Sequence, residues 1–254
     1  MKKYLLFAML FMLLFSTALF ADNEFMAEIT DCQGTAYFRN LAKPDSPWEL
    51  LTVDTVLHEE MEIYTDKDSF VELVLGNLFV RINPGTRLVL KNLAKQGGTV
   101  RLECQLISGG IWSKVIKTIN NLLHYEVVTP TAVAGVEGTN FSVDASTEAT
   151  EVLVAEGLVL LKTREVSGQE LRLKANEKAR VSREGIVRLE LQERDEEKIG
   201  QMNRWGRDKE RIFEEKTETN KAGQADPVKK HTPGKGGSGP QGGSGGKAGK
   251  GGAK

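Results

Sequence analysis

The chain has 254 residues, 40% of them apolar and 27% charged, which fits one domain of ordinary size with extensions. Its formal net charge of -1 hides an uneven distribution: Lys2 and Lys3 are basic, seven Lys and one Asp lie from Lys221 to Lys254, and residues 22–220 carry -9. An acidic body with a sparse basic tail excludes nucleic acid as the main partner of the folded part.

The N-terminus reads as a targeting segment. Lys2 and Lys3 form a positive n-region, Tyr4 to Phe15 is almost wholly apolar, and Ser16, Thr17, Ala18 and Ala21 offer small residues for cleavage. The spacing predicts a signal peptide over 1–21, cut after Ala21, with a cut after Ala18 as the alternative. Tyr4 to Ala21 also reaches the ~18-residue length of the shortest membrane spans, so a retained anchor is the competing reading. No later segment is apolar enough to cross a membrane, so no span is expected once the signal is cleaved.

From residue 22 to 191 the pattern is β throughout. Ala27 and Ile29 alternate with polar neighbours, and Gln33-Gly34 leads into Ala36-Tyr37-Phe38. Val71, Leu73 and Leu75 alternate, as do Leu78, Val80 and Ile82, with the hairpin pair Gly76-Asn77 between them. Asn83-Pro84-Gly85 supplies the next turn. The series runs on through Leu88–Leu90, Val100–Ile107, Phe141 and Val143, Val152–Val154, Leu158–Leu161, Leu171 and Leu173, Ala179 and Val181, and Val187–Leu191. Short strands at near-regular spacing predict an all-β domain, either a multi-stranded β-sandwich or a β-roll or solenoid-like array. About 170 residues are enough to bury a core without staples. Ile111–Leu123 is ambiguous, and reads as a strand followed by a loop or a helical turn.

After Leu191 the period changes. Residues 192–216 are rich in Glu, Arg and Lys, and Ile199, Met202, Trp205, Ile212 and Phe213 fall mostly on one helical face. This predicts a charged amphipathic helix that packs on the β body or extends into solvent. Residues 217–254 hold no apolar residue larger than Val228 and become Gly-, Ser- and Lys-rich, which predicts a disordered tail. Its lysines suit weak contact with an anionic polymer or a membrane surface, and no aromatic residue interleaves to stack nucleic-acid bases.

Residue patterns that carry chemistry are mostly lacking. His58, His124 and His231 are isolated, with no metal-ligand spacing around them. No hydrolase, zincin or P-loop motif occurs. Glu59-Glu60 and Glu214-Glu215 are adjacent pairs that read as solvated edges, and Gly109-Gly110 reads as a turn. No catalytic residue, cofactor or metal is assigned, and the chain is not expected to be an enzyme. Cys32 and Cys104 could pair in an oxidising compartment. Cys104, sharing a face with Val100, Leu102 and Leu106, equally suits a buried inert thiol, and both states stay open.

The segment Tyr125–Val143, YEVVTPTAVAGVEGTNFSV, combines a Thr129-Pro130 break with a Gly135-Val136-Glu137-Gly138-Thr139 turn and Phe141. It resembles the hallmark of the FecR domain family, roughly TP-x-A-x-x-G-V-x-G-T-x-F-x-V. Leu57–Thr65, Ser69–Arg81, Pro84–Leu90, Gly109–Trp112, Glu156-Gly157-Leu158-Val159 and Leu173–Val181 are similar to other family segments, so the resemblance spans about residues 27–185. The Arg204–Asp208 run is similar to the stretch after the domain in some exported members. Three departures stand out: Glu60-Met61 where Gly-Asp is usual, Glu137 for a common Arg, and Asn176 for Gly. In the namesake regulators the domain is periplasmic, receives a signal from an outer-membrane transporter, and is joined to a cytoplasmic segment that acts on a sigma factor. Only Met1-Lys2-Lys3 precedes the apolar segment here. The resemblance therefore implies a stand-alone exported FecR domain, periplasmic or displayed at the surface or secreted. Its role would be to bind or scaffold an envelope protein or glycan, or else to relay an envelope signal through a separate membrane partner. Thr129, Pro130, Gly135, Val136, Gly138, Thr139, Phe141 and Gly157 are expected to be structural.

Overall fold

The structure is a computed structural model that describes residues 26–43, 45–96, 99–118, 122–136, 138–164 and 168–224. The expected signal peptide, Glu137, His231 and the tail from residue 225 lie outside the described residues. In chain order the strands are β1 (Glu28–Gln33), β2 (Ala36–Asn40), β3 (Glu49–Leu50), β4 (Met61–Thr65), β5 (Phe70–Leu75), β6 (Leu78–Ile82), β7 (Arg87–Gln96) and β8 (Thr99–Val115). There follow β9 (Leu122–Val128), β10 (Ala132–Val136), β11 (Asn140–Ala145), β12 (Ala149–Glu156), β13 (Leu158–Thr163), β14 (Glu170–Lys174), β15 (Glu177–Ser182) and β16 (Gly185–Leu189), and then helix α1 (Glu193–Gln224).

The strands form two sheets that share β8. Sheet I has the order β1-β5-β6-β8-β11-β12-β15-β16, and sheet II the order β3-β2-β4-β7-β8-β9-β10-β13-β14. Seventeen residues of β8 extend over roughly 55 Å, too long for one sheet of ordinary width. Its first half, through Ser108, pairs with β7, and from Gly109 onward it pairs with β11 and β6. The strand changes sheets at Gly109-Gly110. Gly109 sits at φ 92°, and a Cβ there would meet the Thr86 backbone at 2.6 Å. These glycines are thus a bend inside a continuous strand rather than the turn expected from sequence, because Gly can pass where Thr86 crowds the chain. The β8–β9 pair is parallel, whereas the other strand pairs among the described residues are antiparallel. Parallel neighbours need a long crossover, and the second half of β8 provides it. Beyond Val115 the chain is irregular to Thr118, and no helical turn occurs among the described residues before β9.

Alternation sends one face of each sheet into a common core. Leu73, Leu75, Leu78, Ile82, Ile111, Phe141 and Val152 from sheet I meet Leu88, Leu90, Leu106, Tyr125, Val127 and Leu161 from sheet II. The Tyr125 and Phe141 rings pack at 6.1 Å across the interface, and Tyr125 Oη shares a 3.0 Å hydrogen bond with Ser113 Oγ. Two sheets closed on one core realise the sandwich alternative of the all-β expectation. The hairpin at Gly76-Asn77 is present, with Gly76 at φ 59°.

Cys32 and Cys104 do not pair; both are free. The fold puts Cys32 on edge strand β1 of sheet I and Cys104 in the first half of β8, between β7 and β9 of sheet II. Burial, opposed by a hydrogen bond with Tyr125, pushes the Cys104 thiol up to about 12.

Helix α1 crosses the outer face of sheet I. A cross-strand row of outward side chains runs Glu72, Arg81, Trp112, Ser142, Leu153, Lys178 over β5, β6, β8, β11, β12 and β15. Six strands span about 24 Å at the usual spacing. The helix residues above the row, Asp195 to Lys209, span about 21 Å, so the seat and the helix match in length. Lys178 Nζ donates to Asp195 at 2.9 Å, Leu153 packs with Ile199 and Met202, Trp112 meets Trp205 edge-on at 6.2 Å, and Glu72 takes Trp205 Nε1 and Lys209 Nζ at 2.8 and 2.5 Å. At the start of α1, Asp195 Oδ2 accepts the backbone N–H of Gln192 at 3.0 Å, half of a capping box. The helix runs to Gln224, eight residues past the point where a disordered tail was expected. Elongation of a seated helix adds one hydrogen bond per residue without a new nucleus, so it outlasts the apolar positions. The first compact unit of the chain ends at Glu215 and the second begins at Lys216, within α1.

Candidate binding face

The FecR-like segment builds the scaffold. Thr129 Oγ1 accepts the N–H of Ala132 at 2.9 Å and lies 2.7 Å from Thr150 Oγ1, while Thr131 Oγ1 lies 2.7 Å from the same hydroxyl. The Thr129-Pro130-Thr131 turn thereby ties sheet II to β12. Thr139 Oγ1 donates to the Leu158 carbonyl at 3.0 Å, and Gly157, at φ 87°, packs 2.7 Å from the Gly138 carbonyl if given a Cβ. Only Gly lets these two connections approach so closely. Val136 and Phe141 fill the core. Gly135 differs: a Cβ would find nothing nearer than 4.0 Å. It lies on the outer face of sheet II, in a shallow depression of about 370 Å³ with His124, Glu126, Leu158, Leu160 and Arg172 around it. The segment's residues are therefore gathered at the β9–β13 connections, apart from Cys32 on edge strand β1.

With α1 over sheet I, no helix among the described residues covers the outer face of sheet II, and its chemistry is concentrated on β2, β3, β4 and β7. Register places Leu50, Tyr37, Tyr64 and Arg87 in one cross-strand row. Arg39, Glu62 and Val89 form the next. The Tyr37 and Tyr64 rings stack, with centroids 6.5 Å apart and planes within 15° of parallel. Trp48 meets Tyr64 edge-on at 6.3 Å, and the Arg39 guanidinium sits 4.6 Å from the Trp48 centroid. Trp48 is 41% exposed and Leu50 is 60% exposed.

Glu62 anchors this face from beneath. Its side chain is 1% exposed. Oε2 accepts Arg39 Nε at 2.7 Å, and Oε1 accepts Arg87 Nε at 3.0 Å and also its Nη2. A carboxylate between two guanidinium forks satisfies its own burial and holds both arginines flat. The result is a rigid patch of aromatic faces and planar N–H donors, a composition suited to stacking and hydrogen bonding. No sequence motif singles out Tyr37, Arg39, Trp48, Glu62, Tyr64 or Arg87. The available signal was the outward phase of the alternation, in which Tyr37 and Arg39, then Glu62 and Tyr64, share one side of their strands.

Among the described residues, no group of three or more His, Cys, Asp or Glu is placed to hold a metal ion. Glu60 lies in the turn before β4, and its carboxylate pairs with Lys91 Nζ at 2.8 Å. No helix among the described residues is long and apolar enough to cross a membrane.

A family model described as FecR protein matches residues 61–160. That range takes in Glu62, Tyr64, Arg87 and the Thr129–Phe141 segment and leaves out Tyr37, Arg39 and Trp48. Two crystal structures of a candidate anti-sigma factor from Parabacteroides distasonis ATCC 8503, at 1.65 and 2.50 Å, are similar to this chain at 23% identity and a TM-score of 0.41. The similarity covers 50% of this chain and 58% of that one, so this chain spans little more than half the length of those structures. Among curated proteins, none matches.

Proposed function

We propose that this chain, which carries a FecR domain over residues 61–160, works as a non-catalytic, exported binding or scaffold module of the cell envelope. The observation that carries the reading is the asymmetry of the two sheets. One outer face is closed by α1, and the other presents Tyr37, Tyr64 and Trp48 beside two clamped arginines. Aromatic and Arg side chains held rigid at a surface are the usual carriers of binding energy. A non-catalytic role is supported by the fate of the buried carboxylates. Glu62 is engaged by Arg39 and Arg87, and Glu72 by Arg81, Lys209 and Trp205, so neither is offered to a substrate. Export rests on the Lys2-Lys3 and Tyr4–Ala21 pattern, with the periplasm as destination. The Lys-containing tail adds weak contact with anionic polymers or membrane surfaces.

The FecR match also favours a second reading, relay of an envelope stimulus through a separate membrane partner to a sigma-factor system. Affinity capture from an envelope fraction, with the full chain and with a chain ending at Gln224, separates the two. One membrane protein recovered by both chains supports relay. Glycan or scaffold components recovered by both support the binding module. Retention that depends on residues 225–254 and on low salt assigns the contact to the tail. Recovery of nothing by either chain contradicts the proposal.

A further inference from the structure

We propose that the folded body rests on the bilayer that its own N-terminal apolar segment enters, seated on a rim that carries Met26, Leu50, Val53 and Val56. This seat shares with the binding role above only the export of the chain, and it takes Tyr4–Ala21 as a retained anchor.

The rim joins two open edges of the sandwich. β3 ends sheet II and β1 ends sheet I. Residues 51–57 cross from one to the other. The Leu51 N–H donates to the Ala36 carbonyl of β2 at 2.9 Å, and Leu57 exchanges backbone hydrogen bonds of 3.0 and 3.3 Å with Ala27, just before β1. Leu51 and Leu57 are buried in the core and pin the crossing at both ends. Their apolar neighbours stand outside: Leu50, Val53 and Val56 are 60%, 56% and 49% exposed, and Met26 is 45% exposed. Of the eight large hydrophobic side chains exposed among the described residues, these four, Leu41 and Trp48 all come from residues 26–56. Singly exposed apolar residues need no explanation, but such a concentration marks a surface that meets something apolar.

The sequence before Met26 says what that is. Tyr4–Ala21 is about long enough to span the hydrocarbon core, and Ala21 lies five residues before Met26. Five residues reach at most about 18 Å, and the headgroup layer takes up about 5–7 Å of that. With the segment in the bilayer, the tether brings the side of the sandwich where β1 begins to the membrane surface, and the exposed aliphatics are on that side.

The surroundings suit the same place. Trp48 stands two residues before Leu50 and meets Tyr64 edge-on, and Trp and Tyr rings collect at the headgroup level of a bilayer. Arg39, 4.6 Å from the Trp48 centroid, and Arg87 outnumber Glu62 by one charge, and a guanidinium at this depth meets phosphate oxygens. Exposed nearby are one cation, Lys43, and three carboxylates, Asp45, Glu49 and Asp54. The rim as a whole is therefore not basic, and apolar contact rather than attraction to anionic lipid holds it down. That separates it from the Lys-containing tail, whose contact is electrostatic and screened by salt.

The test reconstitutes the full chain in phosphatidylcholine vesicles, with and without phosphatidylglycerol, and reads tryptophan quenching by lipids brominated near the headgroup end of their acyl chains. Trp48 is the exposed tryptophan, whereas Trp112 and Trp205 meet beneath α1, so Trp48→Phe gives the baseline. Quenching of the parent at least about twofold above that baseline is expected in both lipids, at low and high salt alike. Leu50→Asp/Val53→Asp/Val56→Asp should fall to the baseline with an unchanged urea midpoint, because all three side chains are exposed. If β3 does not tolerate Leu50→Asp, Val53→Asp/Val56→Asp lies outside the strands and should lose at least about half of the quenching. A parent at the baseline, or a triple variant quenched as the parent is, overturns the proposal. So does quenching that vanishes in high salt, which assigns the contact to the tail, or burial of Trp48 that follows protein concentration without lipid, which assigns the rim to a second copy. None of these outcomes touches the binding role of the open face, which the capture experiment above decides. A chain recovered from the cytoplasm removes both.

Discussion

Glu72 is the keystone of the helix seat, and removing it gives the sharpest stability prediction. Its buried carboxylate accepts Arg81 Nη1 at 3.0 Å, Trp205 Nε1 at 2.8 Å and Lys209 Nζ at 2.5 Å. Lys209 is 11% exposed and Arg81 is 26% exposed. Glu72→Ala therefore strands an ammonium under α1, while Arg81 can turn partly to solvent. Breaking a buried pair by deleting one partner costs about 3–5 kcal/mol, mostly from the charge left behind. With Arg81 partly relieved, the lower half of that range is expected, about 3–4 kcal/mol. If the stranded charge is the cause, Lys209→Met in the Glu72→Ala background should restore about 2 kcal/mol, even though it removes a further polar group. Urea unfolding monitored by tryptophan fluorescence reads both, as midpoint shifts at constant m-value. A loss below about 1 kcal/mol in the single variant, or a double variant no more stable than the single, would show that no stranded charge is at work.

Four further outcomes rest on the same set of contacts. Gly109→Ala places a Cβ at φ 92° and 2.6 Å from the Thr86 backbone, and should destabilise by about 2 kcal/mol or more by urea midpoint. Glu60→Gly should stabilise by up to about 1 kcal/mol in the same assay. It relieves a non-Gly residue at φ 60° at the loss of the half-exposed Lys91 pair. Mass spectrometry after alkylation of the native protein at pH 8 should find Cys32 modified and Cys104 protected, and the unfolded chain should titrate two free thiols. Asp195 is held below the ordinary aspartate range. Desolvation opposes this, and the N–H of Gln192 together with Lys178 outweighs it. Its contribution is complete above about pH 4 and lost as pH falls through the lower folded value, so Asp195→Asn should flatten that part of the acid-unfolding curve.

Local pattern carried most of the strands. Val71, Leu73 and Leu75 alternate because one face of β5 is core, and Gly76 marks its hairpin because the turn needs positive φ. Asn176, read as a substitute for Gly, takes φ 62° as that reading requires. The change of period at residue 192 located the helix, since Ile199, Met202 and Trp205 face one seat. Other features depend on partners far away in sequence. Gly109-Gly110 looks like any turn until Thr86 is seen pressing on the strand and β8 is seen serving two sheets. The aromatic face was not legible, because Tyr37, Trp48, Tyr64 and Arg87 come from four separate stretches that only the β2–β3, β2–β4 and β4–β7 registers bring together. Cysteine pairing likewise depends on which sheet each strand joins, and alternation alone does not contain that.

Binding on the open face of sheet II is measured most directly by hydrogen–deuterium exchange of the full chain, alone and with an envelope fraction that it retains. Slowed exchange is expected to concentrate in β2, β3 and β4, at Ala36–Asn40, Glu49–Leu50 and Met61–Thr65, with α1 unchanged on its sheet. Protection confined to α1 or to the β13–β14 edge, with β2 to β4 exchanging as in the free protein, would place the contact elsewhere and overturn the assignment of this face.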